Sequence, residues 1–572
     1  LAALPGECRS VLLEIERRCK QLRDPQLCSD EALLMRIISP LAEGADRLVA
    51  QAGLELGAEL QCPLPFHSRE YMVDFADDAS KQEYLSLLAR ASSVFEMDGL
   101  RKDEGKAYEQ AGEVVVAHSD VVLAIWDGEA GQGRGGTLQM IDEALRREIP
   151  VLWVHAAEER VPVILTRDSL GNRGTLALED LAGRLSLLSG KEVDSTPGVF
   201  DVGRAFFREK QARVDGGRLF SIFRRFVVTG KISFGSMLSE NFEQGARREW
   251  EEAMPSHPAL QPETRTFLLD KLCPYYAWAD GLSSYYAGLF RTSSVGTNLL
   301  SAFAVLFALL GILFVKEDGG HRWRSQVPSL VELFLIVAVL SITSLGRRCR
   351  WHERWLNYRQ LAERLRQYFF LAPLGCSLPT PRESAQMRPE HGGSAVDVAF
   401  HAIARDLGLA PGVVDRGYLA SMGELIDNVL ESQIAYHEAN HVDMEMLKHR
   451  LHKAGTALFV LTLLACCTHV IGGLGEHHVP PWVHLLAIAP PAFGAAFYGI
   501  TNHGEFARSA DRSLAMAQEL VRRRKDVEDA LKSGTDNFTS ARAAAMRLAE
   551  TMISETLDWN TLFRYRQLNL PG

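Results

Sequence analysis

The chain has no basic surplus: 62 Lys and Arg stand against 72 Asp and Glu, for a formal net charge of −10 and a pI near 6.0. This argues against a general nucleic-acid binder, which needs a basic patch or stripe to meet phosphates. The nine cysteines form no C-x-x-C pair and have no regular spacing. They suit a reducing compartment rather than a disulfide framework, and Cys466 and Cys467 read as packing residues. Neither G-x-G-x-x-G nor a Walker loop is present. No signal peptide opens the chain, which starts at Leu1. LPGECRSVLLEIERRCKQL reads instead as a helix, with Val11, Leu12, Ile15 and Leu22 near one face. An α/β domain that begins mid-helix is expected to have its first strand upstream.

Charge is also missing from four long stretches in the second half: Ser294–Val315, Val327–Gly346, Thr456–Gly473 and Pro481–Ile500. Each is about as long as a bilayer is thick. Glu332 is the one charge in the second, and Pro490 and Pro491 interrupt the fourth. The mean hydropathy of −0.05 averages a polar half and an apolar half. Arg347, Arg348, Arg350 and Arg354 follow the second stretch, and Lys448, Arg450 and Lys453 precede the third. Placing both clusters in the cytosol gives two transmembrane hairpins with cytoplasmic termini. Lys316, Arg322 and Arg324 in the external turn oppose this orientation without reversing it.

In the first half, LMRIIS (34–39), Glu59–Leu64, VVLAIW (121–126) and VLWVH (151–155) read as strands; PLAEGADRLVAQAGLELG reads as a turn and a helix, Lys81–Ala91 and LQMIDEALRRE as helices, and Glu113–Ala117 as another short element. Alternation of this kind predicts a parallel, doubly wound sheet. Residues 158–242 are mixed. Helices are expected over 243–291, 351–371, 414–453, 505–534 and 540–556, with a polar loop at 376–395. Tyr276, Ala279 and Arg291 before the first hairpin are echoed by Tyr436, Ala439 and Arg450 before the second, a weak internal duplication. The domain plan is therefore a head over 1–240, a helical linker over 241–290, hairpins over 291–346 and 451–500, cytosolic helices over 347–450, and C-terminal helices over 501–572.

Glycines crowd the turn after VVLAIW: Gly128, Gly131, Gly133, Gly135 and Gly136, then Thr137. A strand, a glycine-rich turn and a helix start make an anion site, because bare amides point at the ligand with the helix dipole behind them. Ala42-Glu43-Gly44-Ala45-Asp46 forms a second such turn. Ligands of open parallel sheets bind at the carboxyl ends of strands, which would let both turns face one crevice. The bland alternative is glycines capping a surface loop.

SPLAEGADRLVAQAGLELGAELQCPLPF, REYMVDF and SDVVLAIWDGEAGQGRGGTLQMIDEALRREIPVLWVH together resemble the SLOG superfamily over about residues 30–155. That resemblance implies a Rossmann-like fold and a nucleotide ligand, NAD-derived or cyclic. Ser39, Glu43, Gly44, Asp46, Asp127, Gly128, Gly135, Gly136 and Thr137 would line it. LOG enzymes of this superfamily place a Glu three residues after the Thr; here Met140 stands there, and Asp142 and Glu143 lie on other helix faces. Without that carboxylate, N-glycoside cleavage lacks its acid or base, so the head reads as a sensor. Trp355, Tyr358, Arg359, Ala362, Glu363 and Arg366 resemble the SLATT family, proposed pore-forming effectors of bacterial conflict systems, although four spans depart from that family's two.

Other candidates remain. His437-Glu438-Ala439-Asn440-His441 matches H-E-x-x-H on a predicted helix, a pattern able to hold zinc with Glu438 as base. Equally, it is a His-rich amphipathic face. Glu332 and Asn298 are intramembrane polar groups able to line a cation path, or to snorkel and bond between helices. The function expected is that of a homo-oligomeric effector in a bacterial inner membrane, sensing a nucleotide and responding as a pore, with no nucleic-acid partner and no resident cofactor. The alternatives are a membrane-tethered nucleotide hydrolase and a zinc protease.

Overall fold

The computed structural model describes residues 4–22, 32–129, 134–167, 173–185, 209–210, 217–231, 242–256, 259–317, 322–378, 395–474, 480–504, 506–532 and 537–563. After helix α1 (Leu4–Leu22), the head runs β1 (Arg36–Ile38), α2 (Ala45–Glu55), β2 (Glu59–Leu64), α3 (Asp78–Leu88), β3 (Ser93–Glu96), α4 (Glu104–Ala117), β4 (Val122–Trp126), α5 (Thr137–Arg146), β5 (Val151–His155), β6 (Val163–Arg167) and β7 (Arg173–Leu176). The region is thus a mix of small sheets and helices. Leu60, Cys62 and Leu64 of β2, together with Gln61, are buried on both faces, the mark of a central parallel strand.

Hydrogen bonding divides the strands between two sheets rather than one. The first is β1-β2-β3-β8, where β8 is Gly412–Val413, and is wholly parallel; the second is β4-β5-β6-β7, parallel only between β4 and β5. Several elements escape the sequence reading. β3 is a short stretch with Ser93 and Phe95 buried and Val94 and Glu96 half-buried; the short element expected at 113–117 is only the end of α4; β6, β7 and a helix at 218–229 lie in the mixed stretch 158–242; and neither the strand at 412–413 nor the helix at 395–407 is expected from the sequence. The other expected strands and helices fall within a few residues of their predicted places. Most of the predicted loop at 376–395 lies outside the described residues.

The body is helical: α6 (Arg218–Thr229), α7 (Phe242–Ala253), α8 (Cys273–Glu317), α9 (Arg322–Arg348), α10 (Trp351–Leu371), α11 (Ala395–Leu407), α12 (Arg416–Leu474), α13 (Pro481–Gly504), α14 (Phe506–Lys532) and α15 (Asn537–Phe563). Among the described residues, four helices are long and apolar enough to cross a membrane. Their most apolar windows are little covered by the chain itself, only 6% of the third being buried. A water-soluble globule would hide such surface, so the chain is described as a multi-pass membrane protein. Cys466 and Cys467 are exposed on the third span, which corrects their reading as packing residues. On α9, Pro328, Val339, Thr343 and Gly346 are buried and recur at helical spacing on one stripe, while Leu333, Phe334 and Val337 face outward.

Strand β8 (Gly412–Val413) comes from the segment between the two hairpins and joins the head's sheet. It pairs with β3 at Phe95↔Gly412 and Glu96↔Val413, and the Val414 amide donates to Glu96 O at 2.8 Å. The preceding turn is bound to the same edge. Ser93 Oγ donates to Leu409 O (2.8 Å), the Leu409 amide to Gln61 Oε1 (2.8 Å), and Arg36 to the carbonyl of Arg405. The main apolar core is shared: Phe95, Met97, Ala111 and Val114 of the head cluster with Leu409, Val414, Phe538 and Ala541 of the body.

Gln61 is buried, and removing its side chain leaves the Leu409 amide without an acceptor, at about 1–3 kcal/mol. Gln61→Ala is therefore expected to speed hydrogen exchange at Leu409 by about tenfold or more while β1–β2 amides stay protected. Unchanged exchange at Leu409 would contradict this docking.

Candidate functional site

Both sequence-identified turns lead from a strand into a helix that begins on glycine with no side-chain cap: Gly44 (φ +93°) before α2 and Gly136 before α5. The first turn is knit to itself. Ser39 is buried, its Oγ accepting from the Leu41 amide at 3.1 Å and donating to Asp46 O at 3.4 Å. Asp46 Oδ2 accepts from the Ala42 amide at 3.3 Å. Burial outweighs that hydrogen bond and pushes the Asp46 carboxyl up to about 6. Glu43 is exposed; it accepts from Ser80 Oγ and, at 3.0 Å, from the Ala76 amide, and these bonds hold its carboxyl below the usual range. Beneath the turn, the buried guanidinium of Arg47 donates to Leu41 O (3.1 Å) and Ser80 O (2.9 Å) and lies 4.3 Å from the Phe75 ring centre.

The second turn is partly filled as well. Asp127 Oδ1 accepts from the Glu129 amide (3.0 Å), and Gly128 has φ +91°. Gly131 and Gly133 lie outside the described residues. Gly135 has φ +81° and packs against α4 so closely that a Cβ would meet the Glu109 nitrogen at 2.7 Å. No other residue type fits there. Its amide donates to Gln139 Oε1 at 2.8 Å, and Gln139 in turn donates to Glu109. One of the amides expected to hold an anion is thus occupied by the protein's own side chain. Among the described residues, no hydrogen bond joins this turn to the turn at 39–46. Met140 packs against Gly112 of α4, where a Cβ would touch its sulfur. Met140, where the resemblance would place a carboxylate, therefore faces a neighbouring helix.

In the body, His437 is buried, Glu438 is exposed, and His441 Nδ1 is 3.0 Å from Ala510 O. Among the described residues, no three His, Cys, Asp or Glu side chains are grouped to hold a metal. Glu332 falls on the partly covered stripe of α9 rather than on its outward face. Asn298 is buried, donates to Ser294 O at 2.8 Å, and abuts α13 at Gly499, where a Cβ would lie 2.2 Å from its Oδ1. Close helix contact through a small residue is a membrane packing device.

Sequence reasoning missed Glu209. Its carboxylate accepts from Tyr358 and Arg354, each at 2.6 Å, and from Tyr286, while its carbonyl accepts from Trp278 Nε1 at 3.0 Å. It thus pins the chain leaving the head to α8 and α10. The signal was one carboxylate in an uninterpretable stretch, matched by tyrosines 77 and 149 residues away.

Residues 274–370 match a family described as a protein of unknown function (DUF4231). That segment covers most of α8, all of α9 and nearly all of α10, one complete helix, hairpin and helix unit. No curated protein and no solved structure matches the chain, and no match to the SLOG or SLATT families is found.

Two outcomes follow. Ionising Asp46 is disfavoured in the folded state, so its contribution is full below about pH 4 and is lost as the pH rises through about 6. Asp46→Asn is expected to flatten the fall of head stability between pH 4 and 7, a difference on the order of 2–3 kcal/mol, read from denaturation midpoints. An unchanged slope would contradict the raised Asp46 carboxyl. Separately, Gly499→Ala is expected to lower stability by about 1–3 kcal/mol through overpacking, and Asn298→Ala in the same chain to restore most of it.

Proposed function

We propose that this protein is a membrane effector in which a cytosolic α/β head of Rossmann-like type senses a phosphorylated, nucleotide-derived ligand and the four-span body responds by opening a path for ions. In this reading it acts as a homo-oligomer in a bacterial inner membrane, with both termini in the cytosol. The observation that carries the reading is β8. A strand from between the two hairpins completes the head's sheet, so a shift of β3 is passed without slack to α11 and α12. Ligand binding moves such a system only if the ligand prefers one of its states.

The ligand reading is supported at the start of α5. The amides of Gly136, Thr137 and Leu138 have no hydrogen-bond partner among the described residues, and no acidic residue occupies the first turn. An uncapped helix start of this kind favours an anion. A sensing role is favoured over hydrolysis because position 140 holds a packed methionine. A role for Glu332 in ion passage is supported by its place on the inward stripe of α9.

Reconstituted full-length protein in dye-loaded liposomes tests the reading. Leakage is expected on adding one of NAD, ADP-ribose, or a cyclic di- or trinucleotide. A Gln61→Ala variant, with head and body uncoupled, is expected to bind that nucleotide and leak less. No leakage with any of these ligands would contradict it.

A further inference from the structure

Where the two hairpins meet the cytosolic helices, the body encloses a cavity of about 70 Å³ measured to the centres of water-sized molecules, room for several of them. Its walls come from α6, α8, α10, α12, α13, α14 and α15. Three guanidiniums, Arg291, Arg359 and Arg512, line it against one carboxylate, Glu555. Arg291 has no carboxylate partner among the described residues. Its guanidinium carbon lies 5.5 Å from the Phe220 ring centre and 5.1 Å from that of Trp355. Glu363, one turn from Arg359, is committed to Arg366 by two bonds of 2.7 and 2.8 Å.

Among the described residues, two lining groups are buried without a hydrogen-bond partner: Nη1 of Arg512 and Nδ1 of His437, whose residue is only 8% exposed. Buried donors are ordinarily satisfied, and a buried surplus of positive charge is costly unless an anion answers it. Guanidiniums suit the oxygens of a phosphate group, which accept paired N–H bonds. The depth fits too. Arg291 is seven residues before Asn298, which touches Gly499 of the fourth span, so this arginine sits roughly 10 Å to the cytosolic side of that contact, while Val295 and Ile500 carry the cavity wall up to it.

We propose that this cavity is a binding site for a phosphate group, held by Arg291, Arg512 and His437, and that its occupant clamps the two membrane hairpins together. The phosphate belongs either to the headgroup of an anionic phospholipid or to a free phosphorylated solute. The site is separate from the head and does not depend on the reading of the head as a sensor.

The test uses full-length protein in a phosphate-free detergent. One arm titrates inorganic phosphate and pyrophosphate by calorimetry. The other reconstitutes the protein in phosphatidylcholine nanodiscs with or without phosphatidylglycerol and measures retained lipid by native mass spectrometry. Binding in the first arm identifies a free solute; retained phosphatidylglycerol identifies a headgroup. In either case Arg291→Gln and Arg512→Gln are expected to weaken binding about tenfold or more, and Arg524→Gln, whose guanidinium pairs with Asp427 outside the cavity, to leave it unchanged. Ser509→Asp, which keeps every arginine and adds a competing carboxylate to the wall, is expected to act like the arginine variants and covers the case in which those fail to fold. Absence of binding in both arms, or binding indifferent to the cavity variants, would overturn the proposal.

Discussion

Two residues of parallel β-pairing, Phe95↔Gly412 and Glu96↔Val413, set the relation between the α/β head and the helical body that carries the spans. Such a short strand would be negligible alone. It persists because the turn before it is bonded to Gln61, Ser93 and Arg36, and because the apolar core beneath it is continuous across the seam. The head therefore does not hang from a flexible tether. Its edge strand is supplied by the body, which also covers an edge otherwise open to wrong pairing.

A second attachment works from the other direction. Glu209 sits in a cage of Tyr286, Arg354 and Tyr358 on α8 and α10, within the segment that matches the uncharacterised family. The chain leaving the head is held at the base of the first hairpin, and the chain leading to the second hairpin is held on the head. The helix, hairpin and helix plan is built twice, as α8–α10 and as α12–α14, in keeping with the faint echo of Tyr276, Ala279 and Arg291 by Tyr436, Ala439 and Arg450. The environments differ, however: Tyr276 is fully buried, and Tyr436 is half exposed.

Much of this was legible because it is local. The four spans announce themselves by uncharged length, β2 by its place between a helix and Pro65, and α5 by apolar residues at helical spacing after the glycine turn. What escaped is non-local. Gly412–Val413 carries no strand signature and becomes a strand only because β3 offers an edge. Gln139 reads as an ordinary helix residue until its side chain is found on the Gly135 amide. His437 and His441 share a helix face at the spacing of a metal motif, yet one enters an arginine-lined cavity and the other meets a carbonyl of α14. The cavity itself is lined by residues of seven helices spread between 220 and 555, a combination no spacing rule within one segment detects.

The account stands on head and body forming one docked unit. Spin labels at Leu85 on α3 and Glu431 on α12, both exposed, give that distance directly by pulsed electron resonance on full-length protein in nanodiscs. A single narrow distance distribution is predicted. A broad distribution, as for two domains joined by a loose linker, would contradict it.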